Sequence, residues 1–226
     1  PSLNVLDGYR ALITGGPTVR DGDGPTYADP KVYIVSTDRI AAAARTAGGE
    51  VIHDDGLIDQ VVNLVELPNP VVGTFEERHL DLPPEVLIQE MKSHQRYFSL
   101  TDGRGRGLPK FIAVSNTTVR EEKLSIKGYE RVLRARLTDG RFFFDEDRRT
   151  PLVDRLPGLH RRSWIDQLGS MAEKTDRIRA LGVYLANAVG QTGSLATVER
   201  AATLCKADLN TGMVGEFPEL QGVMGR

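Results

Sequence analysis

The residues best suited to hold a polyanion lie within segment 91–98, where a predicted helix gives way to a predicted strand. Its basic side chains are Lys92, His94 and Arg96. Cations beside backbone donors attract phosphate groups, and the two aromatic residues that follow Arg96 can stack on an exposed base. Because neighbouring strand residues face opposite sides, at most one of them can stack while the other packs in a core. The same segment is also typical of a helix whose basic last turn offsets its own dipole.

A second set of basic residues lies farther along the chain, on a predicted helix. Arg131 and Arg134 share a helix face because three residues separate neighbours on such a face, and Arg136 follows them. Acidic residues at 145–147 are close enough to neutralise much of this charge. The pattern therefore fits an RNA-binding track and a salt-bridged surface equally well. The phenylalanines at 142–144 are expected to pack in the core.

The sequence offers no pattern for a catalytic metal or an activated nucleophile. The chain has four histidines, and none stands at a metal-ligand spacing from another His, a Cys or a carboxylate. Cys205, the single cysteine, has no His beside it and is typical of a buried helical thiol. No glycine-rich phosphate loop or dinucleotide fingerprint occurs. We therefore assign neither a catalytic residue nor a metal ligand to this chain.

Short strands and helices must position these residues in the first part of the chain. Residues 1–30 are rich in Gly and Pro and predict a loop. Thr37 is expected to cap the first helix, and Gly48 and Gly49 are expected to end it. The predicted elements are strand 31–36, helix 38–47, strand 50–53, helix 56–67, strand 71–75, helix 84–94, strand 96–100 and strand 110–115, the last two joined by a hairpin.

The strand pattern disappears in the second part of the chain. Helices are predicted over 172–189 and 195–209 from apolar residues at helical spacing. The stripe on the first of these helices consists of Ile178, Leu181, Leu185 and Val189. We therefore predict an α+β domain over residues 1–150, followed by the beginning of an all-helical domain over 151–226.

Composition limits the function classes. A length of 226 residues fits one large or two small domains, and the net charge of −2 argues against a globally basic nucleic-acid-binding protein. No apolar run approaches the roughly 18 residues that span a bilayer, so no membrane partner is expected. One cysteine excludes an intrachain disulfide, which suits the cytoplasm. The chain begins at Pro1 and ends at Arg226 without a closing element, and we expect a fragment of a longer protein.

Taken in this order, the motifs resemble the β subunit of the bacterial heterotetrameric glycyl-tRNA synthetase. The resemblance rests on segments 91–98, 134–144 and 216–225, and it covers roughly residues 31–226. In that family, the first region is similar to a B3/4-like mixed α/β domain, and an HD-like helical domain follows it. The resemblance therefore implies a B3/4-like domain and the beginning of an HD-like domain.

The resemblance also implies a function. The assembled α2β2 enzyme would join glycine to tRNA-Gly, and its α subunit would use ATP with Mg at the aminoacylation site. This chain would supply tRNA-binding and scaffold surface and would be inactive alone, with no cofactor of its own. The candidate tRNA contacts are Lys92, His94, Arg96, Arg131, Arg134 and Arg136.

The HD-like region departs from a metal-dependent phosphohydrolase. Such an enzyme uses an adjacent His-Asp pair and further ligands to activate water. Here the corresponding pair resembles Ala207 and Asp208, and the upstream His position falls near 174–176, where no His exists. The resemblance therefore implies a vestigial site without metal. Two alternatives stay open: a freestanding tRNA-binding or editing module, and an active HD phosphohydrolase, against which the missing His argues.

Overall fold

A computed structural model describes residues 30–65, 67–117 and 121–226. Two compact units divide after Thr138; we call the part up to Thr138 unit 1 and the part from Asp139 onward unit 2. Antiparallel strands in the described part combine with helices, so the predicted α+β class is confirmed. The predicted loop over 1–30 lies outside the described residues except for Pro30. The B3/4-like and HD-like domains and their boundary remain predictions.

The described part of unit 1 contains a four-stranded antiparallel sheet with the strand order β1-β3-β4-β2. Its strands are β1 (Glu50–Val51), β2 (Asn69–Thr74), β3 (Phe98–Thr101) and β4 (Gly107–Ser115). Its helices are α1 (Pro30–Thr46), α2 (Asp55–Val62), a 3₁₀ turn (Glu77–Asp81), α3 (Pro84–Gln95) and α4 (Glu122–Asp147), which continues into unit 2. The predicted hairpin between β3 and β4 is confirmed.

The first helix is longer than the sequence predicts. α1 runs unbroken from Pro30 to Thr46, so the predicted strand over 31–36 is wrong, and Thr37 lies inside the helix instead of capping it. β-branched residues favour strands only weakly, while the Ala-rich run that follows and a proline in the first turn favour a helix. The predicted end is confirmed, because Gly48 has a φ of +81°, which glycine adopts without steric cost.

The sheet of unit 1 packs apolar clusters on both faces. Phe111 and Ile112 are neighbours on β4 and are fully buried in different clusters, because successive strand side chains face opposite sides. The first cluster is built on Ile40, Leu57, Val61, Phe98, Leu100 and Ile112. The second cluster is built on Phe75, Leu87, Met91, Tyr97, Phe111, Leu133 and Leu137. Gly73 stands opposite Phe111, whose ring occupies the space that a Cβ at Gly73 would need.

Unit 2 is mainly helical, but it also contains strands that the sequence pattern did not predict. Its strands β5 (Ser163–Ile165) and β6 (Gly169–Ser170) form an antiparallel hairpin. Strands this short carry too few alternating residues to produce a periodic signal. The helices are α5 (Met171–Ala188), α6 (Leu195–Leu204), α7 (Gly212–Glu216) and 3₁₀ turns at Leu152–Arg161, Thr192–Ser194, Ala207–Asn210 and Pro218–Leu220. None of the helices in the described ranges is both long and apolar enough to cross a membrane.

Several apolar residues of unit 2 are more exposed than the sequence suggests. On the α5 stripe, Leu181 and Leu185 are at least half exposed. Phe142 is 61% exposed, so its predicted place in the core is wrong. Cys205 is exposed, and the prediction of a buried thiol is wrong as well. The residue types alone could not show which face of each helix packs against the rest of the unit.

The carboxylate of Asp147 joins several polar groups in the interior of unit 2, and we call this arrangement the polar centre. Asp147 accepts hydrogen bonds from the backbone N–H groups of Gly212 and Met213, both at 2.8 Å, and so adds to the N-cap of α7, which is Thr211. The guanidinium of Arg155 lies 3.1 Å from the same carboxylate and also donates to the Asn210 carbonyl at 2.8 Å. Both charged side chains are largely buried, which makes this pair part of the interior of unit 2.

Candidate nucleic-acid interface

Lys92 lies in the last turn of α3 and is paired. Its Nζ is 2.5 Å from Asp54 Oδ2, while Asp54 Oδ1 accepts the N–H of Leu57 and caps α2. Burial disfavours the ionised carboxylate, but the hydrogen bonds from Lys92 and Leu57 outweigh it and hold the pKa of Asp54 below its usual value. The charge of Lys92 is therefore largely used in joining α3 to α2.

Arg96 ends α3 in an uncommon conformation. Its φ of +54° is in the left-handed region, and its N–H donates to the Lys92 carbonyl at 3.1 Å. A non-glycine residue in this region costs on the order of 1 kcal/mol. The side chain is exposed and makes no ion pair with the residues that the structure describes. His94, in the same turn, is half-buried.

Both aromatic residues after Arg96 belong to the core. Tyr97 stacks on Phe111 with 4.7 Å between ring centroids and makes an edge contact with Tyr129 at 5.9 Å. Burial raises the pKa of Tyr97 to about 12. Phe98 lies in the other cluster, so the two rings face opposite sides of the sheet as the strand pattern predicts. Neither ring is presented to solvent for stacking.

Unit 1 contains two small cavities near these residues. One, of about 220 Å³, is lined by apolar residues of α2 and β4 and by Gln95, Arg96, Tyr97 and Tyr129. The other, of about 300 Å³, is lined mainly by apolar residues of α1, α2 and β1. Ligand pockets commonly occupy about 300–1,000 Å³, so both cavities are at or below the lower limit. We assign no ligand to either of them.

The arginines of α4 are presented from a helix that is firmly attached to unit 1. Leu133 and Leu137 are fully buried in the second cluster. Glu130 accepts hydrogen bonds from the N–H of Thr74 at 2.9 Å and from its hydroxyl at 2.8 Å. These contacts hold one side of α4 against β2 and leave the opposite side to solvent.

The three candidate arginines of α4 differ in their partners. Arg134 Nε donates to Glu76 Oε1 at 2.8 Å. Desolvation raises the pKa of Glu76, but this bond, a backbone hydrogen bond and the charges of Arg134 and Arg78 together lower it below its usual value. Arg131 is exposed and Arg136 half-buried, and within the described ranges neither makes an ion pair. Positions two residues apart do not face each other on a helix, so Arg134 and Arg136 leave α4 on different sides.

The six candidate contacts therefore form two groups. Lys92 and Arg134 are paired with carboxylates that join elements of unit 1. Arg96, Arg131 and Arg136 make no ion pair with any described residue. The role of the six in tRNA contact stays a prediction.

The two residues predicted to correspond to a vestigial HD metal site are buried. Ala207 and Asp208 lie in a 3₁₀ turn and are 0% and 1% exposed. Asp208 Oδ2 accepts the N–H of Gly222 at 2.5 Å, and Gly225 lies against the same carboxylate. No three His, Cys, Asp or Glu residues come together as a metal site in the part of the chain that is described. Asp208 thus holds the last turns of unit 2; the predicted lack of catalytic metal remains a prediction.

Unit 2 also carries a cationic cluster that the sequence analysis did not single out. Lys174 Nζ lies 2.9 Å from the ring centroid of Trp164. Burial lowers the pKa of Lys174, and the nearby charges of Lys206 and Arg177 lower it further. The spacing of Lys174 and Arg177 on one helix face was visible in the sequence. Lys206 comes from beyond α6, and only the fold brings it to this place.

Comparisons with known proteins agree with one another. The family model described as "Glycyl-tRNA synthetase beta subunit" matches residues 32–226. The glycine–tRNA ligase beta subunit of Myxococcus xanthus is 68% identical over 84% of this chain and 27% of its own length. Those of Anaeromyxobacter dehalogenans and Geobacter sulfurreducens are 52% and 50% identical over 82% and 83% of this chain, and over 26% and 27% of their own lengths.

These matches place the chain in the class of aminoacyl-tRNA synthetase subunits. Within that class, it belongs to the family of glycyl-tRNA synthetase beta subunits, as the motifs of its sequence predict. The chain spans only about a quarter of the length of the curated relatives that it matches.

Proposed function

We propose that this chain is part of the β subunit of a glycine–tRNA ligase and that it contributes tRNA-binding and scaffold surface rather than the aminoacylation site. The assembled enzyme would convert ATP, glycine and tRNA-Gly to glycyl-tRNA, AMP and diphosphate. The observation that carries the proposal is the match to glycyl-tRNA synthetase beta subunits over residues 32–226.

The partners follow from the same proposal. The relatives are named as beta subunits, which supports an α subunit as partner in an α2β2 assembly. That α subunit would hold ATP with Mg, and the complex would act in the cytoplasm. Unit 1 would correspond to the B3/4-like region, and the helices of unit 2 would correspond to the beginning of the HD-like region.

Within unit 1, the unpaired arginines are the best candidates for phosphate contacts. Arg96 stands at the exposed end of α3, and Arg131 stands on the exposed side of α4. A guanidinium without a carboxylate partner can donate to phosphate oxygens without first breaking an ion pair. Lys92 and Arg134 would have to give up Asp54 and Glu76.

The first test is catalytic. The isolated chain should not support glycine-dependent exchange of pyrophosphate into ATP, whereas the full α2β2 enzyme should. Exchange by the purified chain alone, retained after removal of trace enzyme by a second affinity step, would place an adenylation site in this chain and refute the proposed division of labour.

The second test concerns tRNA contact. Arg131→Ala should weaken the binding of tRNA-Gly by the chain and should reduce the salt dependence of log Kd by about one unit, since one phosphate contact is lost. Arg134→Ala is the matched control on the same helix, and its effect should be smaller because Arg134 already pairs with Glu76. If wild type and Arg131→Ala show equal salt dependence, Arg131 makes no phosphate contact in the interface.

A further inference from the structure

We propose that unit 2 carries a binding site for RNA phosphate, formed by Lys174, Arg177 and Lys206 around the indole of Trp164. The inference rests on the proposed function, because it requires that the chain contacts tRNA. It concerns a part of the chain that contains none of the contacts predicted from the sequence.

Three separate segments build this site. Trp164 comes from the β5–β6 hairpin, Lys174 and Arg177 come from the first turns of α5, and Lys206 follows α6. The ammonium of Lys174 lies over the indole ring at 2.9 Å from its centroid, in a cation–π contact. Arg177 donates to the Leu168 carbonyl at 3.0 Å, which holds its guanidinium beside the same hairpin. Lys174 and Arg177 are therefore positioned by contacts of the fold before any ligand arrives, and Lys206 lies close enough for its charge to act on Lys174.

The acidic residues around the site are already engaged elsewhere. Glu173 accepts from the N–H and hydroxyl of Ser170 and forms the capping box of α5. Asp176 pairs with Arg179 at 3.0 Å. Asp166 accepts the hydroxyl of Ser163 at 3.4 Å. The charge of Arg177 also acts on Glu173 and helps to lower the pKa of that carboxyl. Among the described residues, however, none of the three cations makes an ion pair with a carboxylate.

A cluster of like charges that makes no ion pair favours a bound anion. Lys206 and Arg177 both lower the pKa of Lys174, as expected when positive charges are held close together. A phosphodiester placed among these groups would reverse this repulsion and accept hydrogen bonds from them. Because the ligand in the proposed function is an RNA, we take the bound anion to be a phosphate of the RNA backbone.

Trp164 gives the site a feature that a simple basic patch lacks. Its side chain is 42% exposed although Lys174 covers part of the ring. Proteins that hold single-stranded or unpaired RNA combine cations along the backbone with an aromatic surface for a base. The site is therefore suited to a phosphate next to an unpaired nucleotide, rather than to the regular backbone of a helix.

The chain offers a direct reporter for this site, since Trp164 is its single tryptophan. We expect tRNA-Gly, added to the full chain, to change the emission of Trp164 in a saturable manner. Lys206→Ala should weaken the binding measured in this way several-fold and reduce the salt slope by about one unit. Arg200→Ala is the matched control, because Arg200 is an exposed arginine of α6 outside the cluster and should leave both quantities unchanged.

The single cysteine provides an independent readout. Cys205 is exposed and adjoins Lys206, so bound RNA should slow its alkylation by iodoacetamide. Circular dichroism should show that Lys206→Ala is folded, and Arg177→Ala should reproduce its effect on binding.

Failure of this inference can be separated from failure of the proposed function. If filter binding shows tRNA on the chain while Trp164 emission and Cys205 alkylation do not change, the site in unit 2 is wrong and the proposed function stands. Equal binding by Lys206→Ala and Arg200→Ala overturns the site as well. If filter binding detects no tRNA on the chain, both the site and the tRNA-binding role are overturned.

Discussion

Unit 1 and unit 2 place their cations in different ways. In unit 1, Lys92 and Arg134 pair with carboxylates that join one element to another, although their sequence setting is also compatible with a polyanion site. In unit 2, Lys174 and Lys206 come from different segments and make no ion pair with the described residues. The difference shows that basic residues close in sequence can serve the fold, whereas a cationic cluster can be assembled from residues that are far apart.

The interiors of the two units differ as well. Unit 1 has extended apolar clusters on both faces of its sheet. Unit 2 has a small apolar cluster around Leu159, Met171 and Ala172 and further buried apolar side chains such as Met213 and Phe217. It also contains the buried pair of Asp147 and Arg155. Apolar burial contributes roughly 25 cal/mol per Å², whereas buried ion pairs contribute through their geometry and are costly to break. We therefore expect both units to be sensitive to cavities and unit 2 to be sensitive also to the loss of this buried polar pair.

The largest effect is expected in the core of unit 1. Leu133→Ala removes a side chain that is fully buried in the second cluster, and it should lower the free energy of unfolding by about 2–5 kcal/mol. Val132→Ala is the control at the neighbouring position, where the side chain is 44% exposed. It should change the free energy of unfolding by about 0.5 kcal/mol at most. Urea unfolding followed by circular dichroism measures both. Equal losses would mean that α4 is not attached to the sheet through Leu133.

The next effect tests the polar centre of unit 2. Asp147→Ala removes the acceptor of two N–H groups at the start of α7 and the partner of Arg155, and should cost about 2–4 kcal/mol. Trp164 emission during urea unfolding reports on this unit. Asp145→Ala, which breaks only the exposed pair with Arg141, should cost about 0.5 kcal/mol. If the two variants unfold at the same urea concentration, the polar centre does not stabilise unit 2 and the contrast between the units fails.

Much of the fold of unit 1 could be predicted from local signals. Pro84 in the first turn of α3 and the positive φ of Gly48 are effects that one or two residues determine. The strand predicted over 31–36 failed because a weak preference of β-branched residues competes with the surrounding helix, and the sequence does not show which one prevails. The prediction that Phe142 is buried failed for a similar reason, since burial depends on which side of a helix packs against another element.

The candidate site was predictable only in part. Segment 91–98 and α4 do lie in unit 1, and Arg96 and Arg131 are exposed as a phosphate contact requires. Lys92 and Arg134 pair with the carboxylates of Asp54 and Glu76. These carboxylates come from other elements, so the pairs cannot be predicted from spacing along the chain. The same limit concealed the cluster around Trp164, because Lys206 joins it only through the packing of unit 2.

The smallest effect concerns the pH dependence of the pair of Lys92 and Asp54. Burial disfavours the Asp54 carboxylate, but the bonds from Lys92 and Leu57 lower its pKa in the folded chain below the ordinary 3.8. A carboxyl whose pKa is lowered by folding contributes stability that is present above its unfolded pKa and is lost as the pH falls through its folded pKa. Lys92→Ala should therefore cost about 0.5–1 kcal/mol at pH 7, since the pair is partly exposed, and this difference should shrink as the pH falls below 3.8.

A matched control separates this pair from a general charge effect. Lys127→Ala removes an exposed lysine of α4 that makes no ion pair with the described residues, and its small effect should not change between pH 7 and pH 3 by more than about 0.3 kcal/mol. Asp54→Asn removes the carboxylate but can still cap α2. In this background, Lys92→Ala should have almost no effect on stability, and the double-mutant cycle then gives the coupling free energy of Lys92 and Asp54. A pH-independent cost of Lys92→Ala would mean that its methylene chain, and not its charge, holds α3 to α2. Lys92 would then be available for a phosphate, and the contrast between the cations of the two units would weaken.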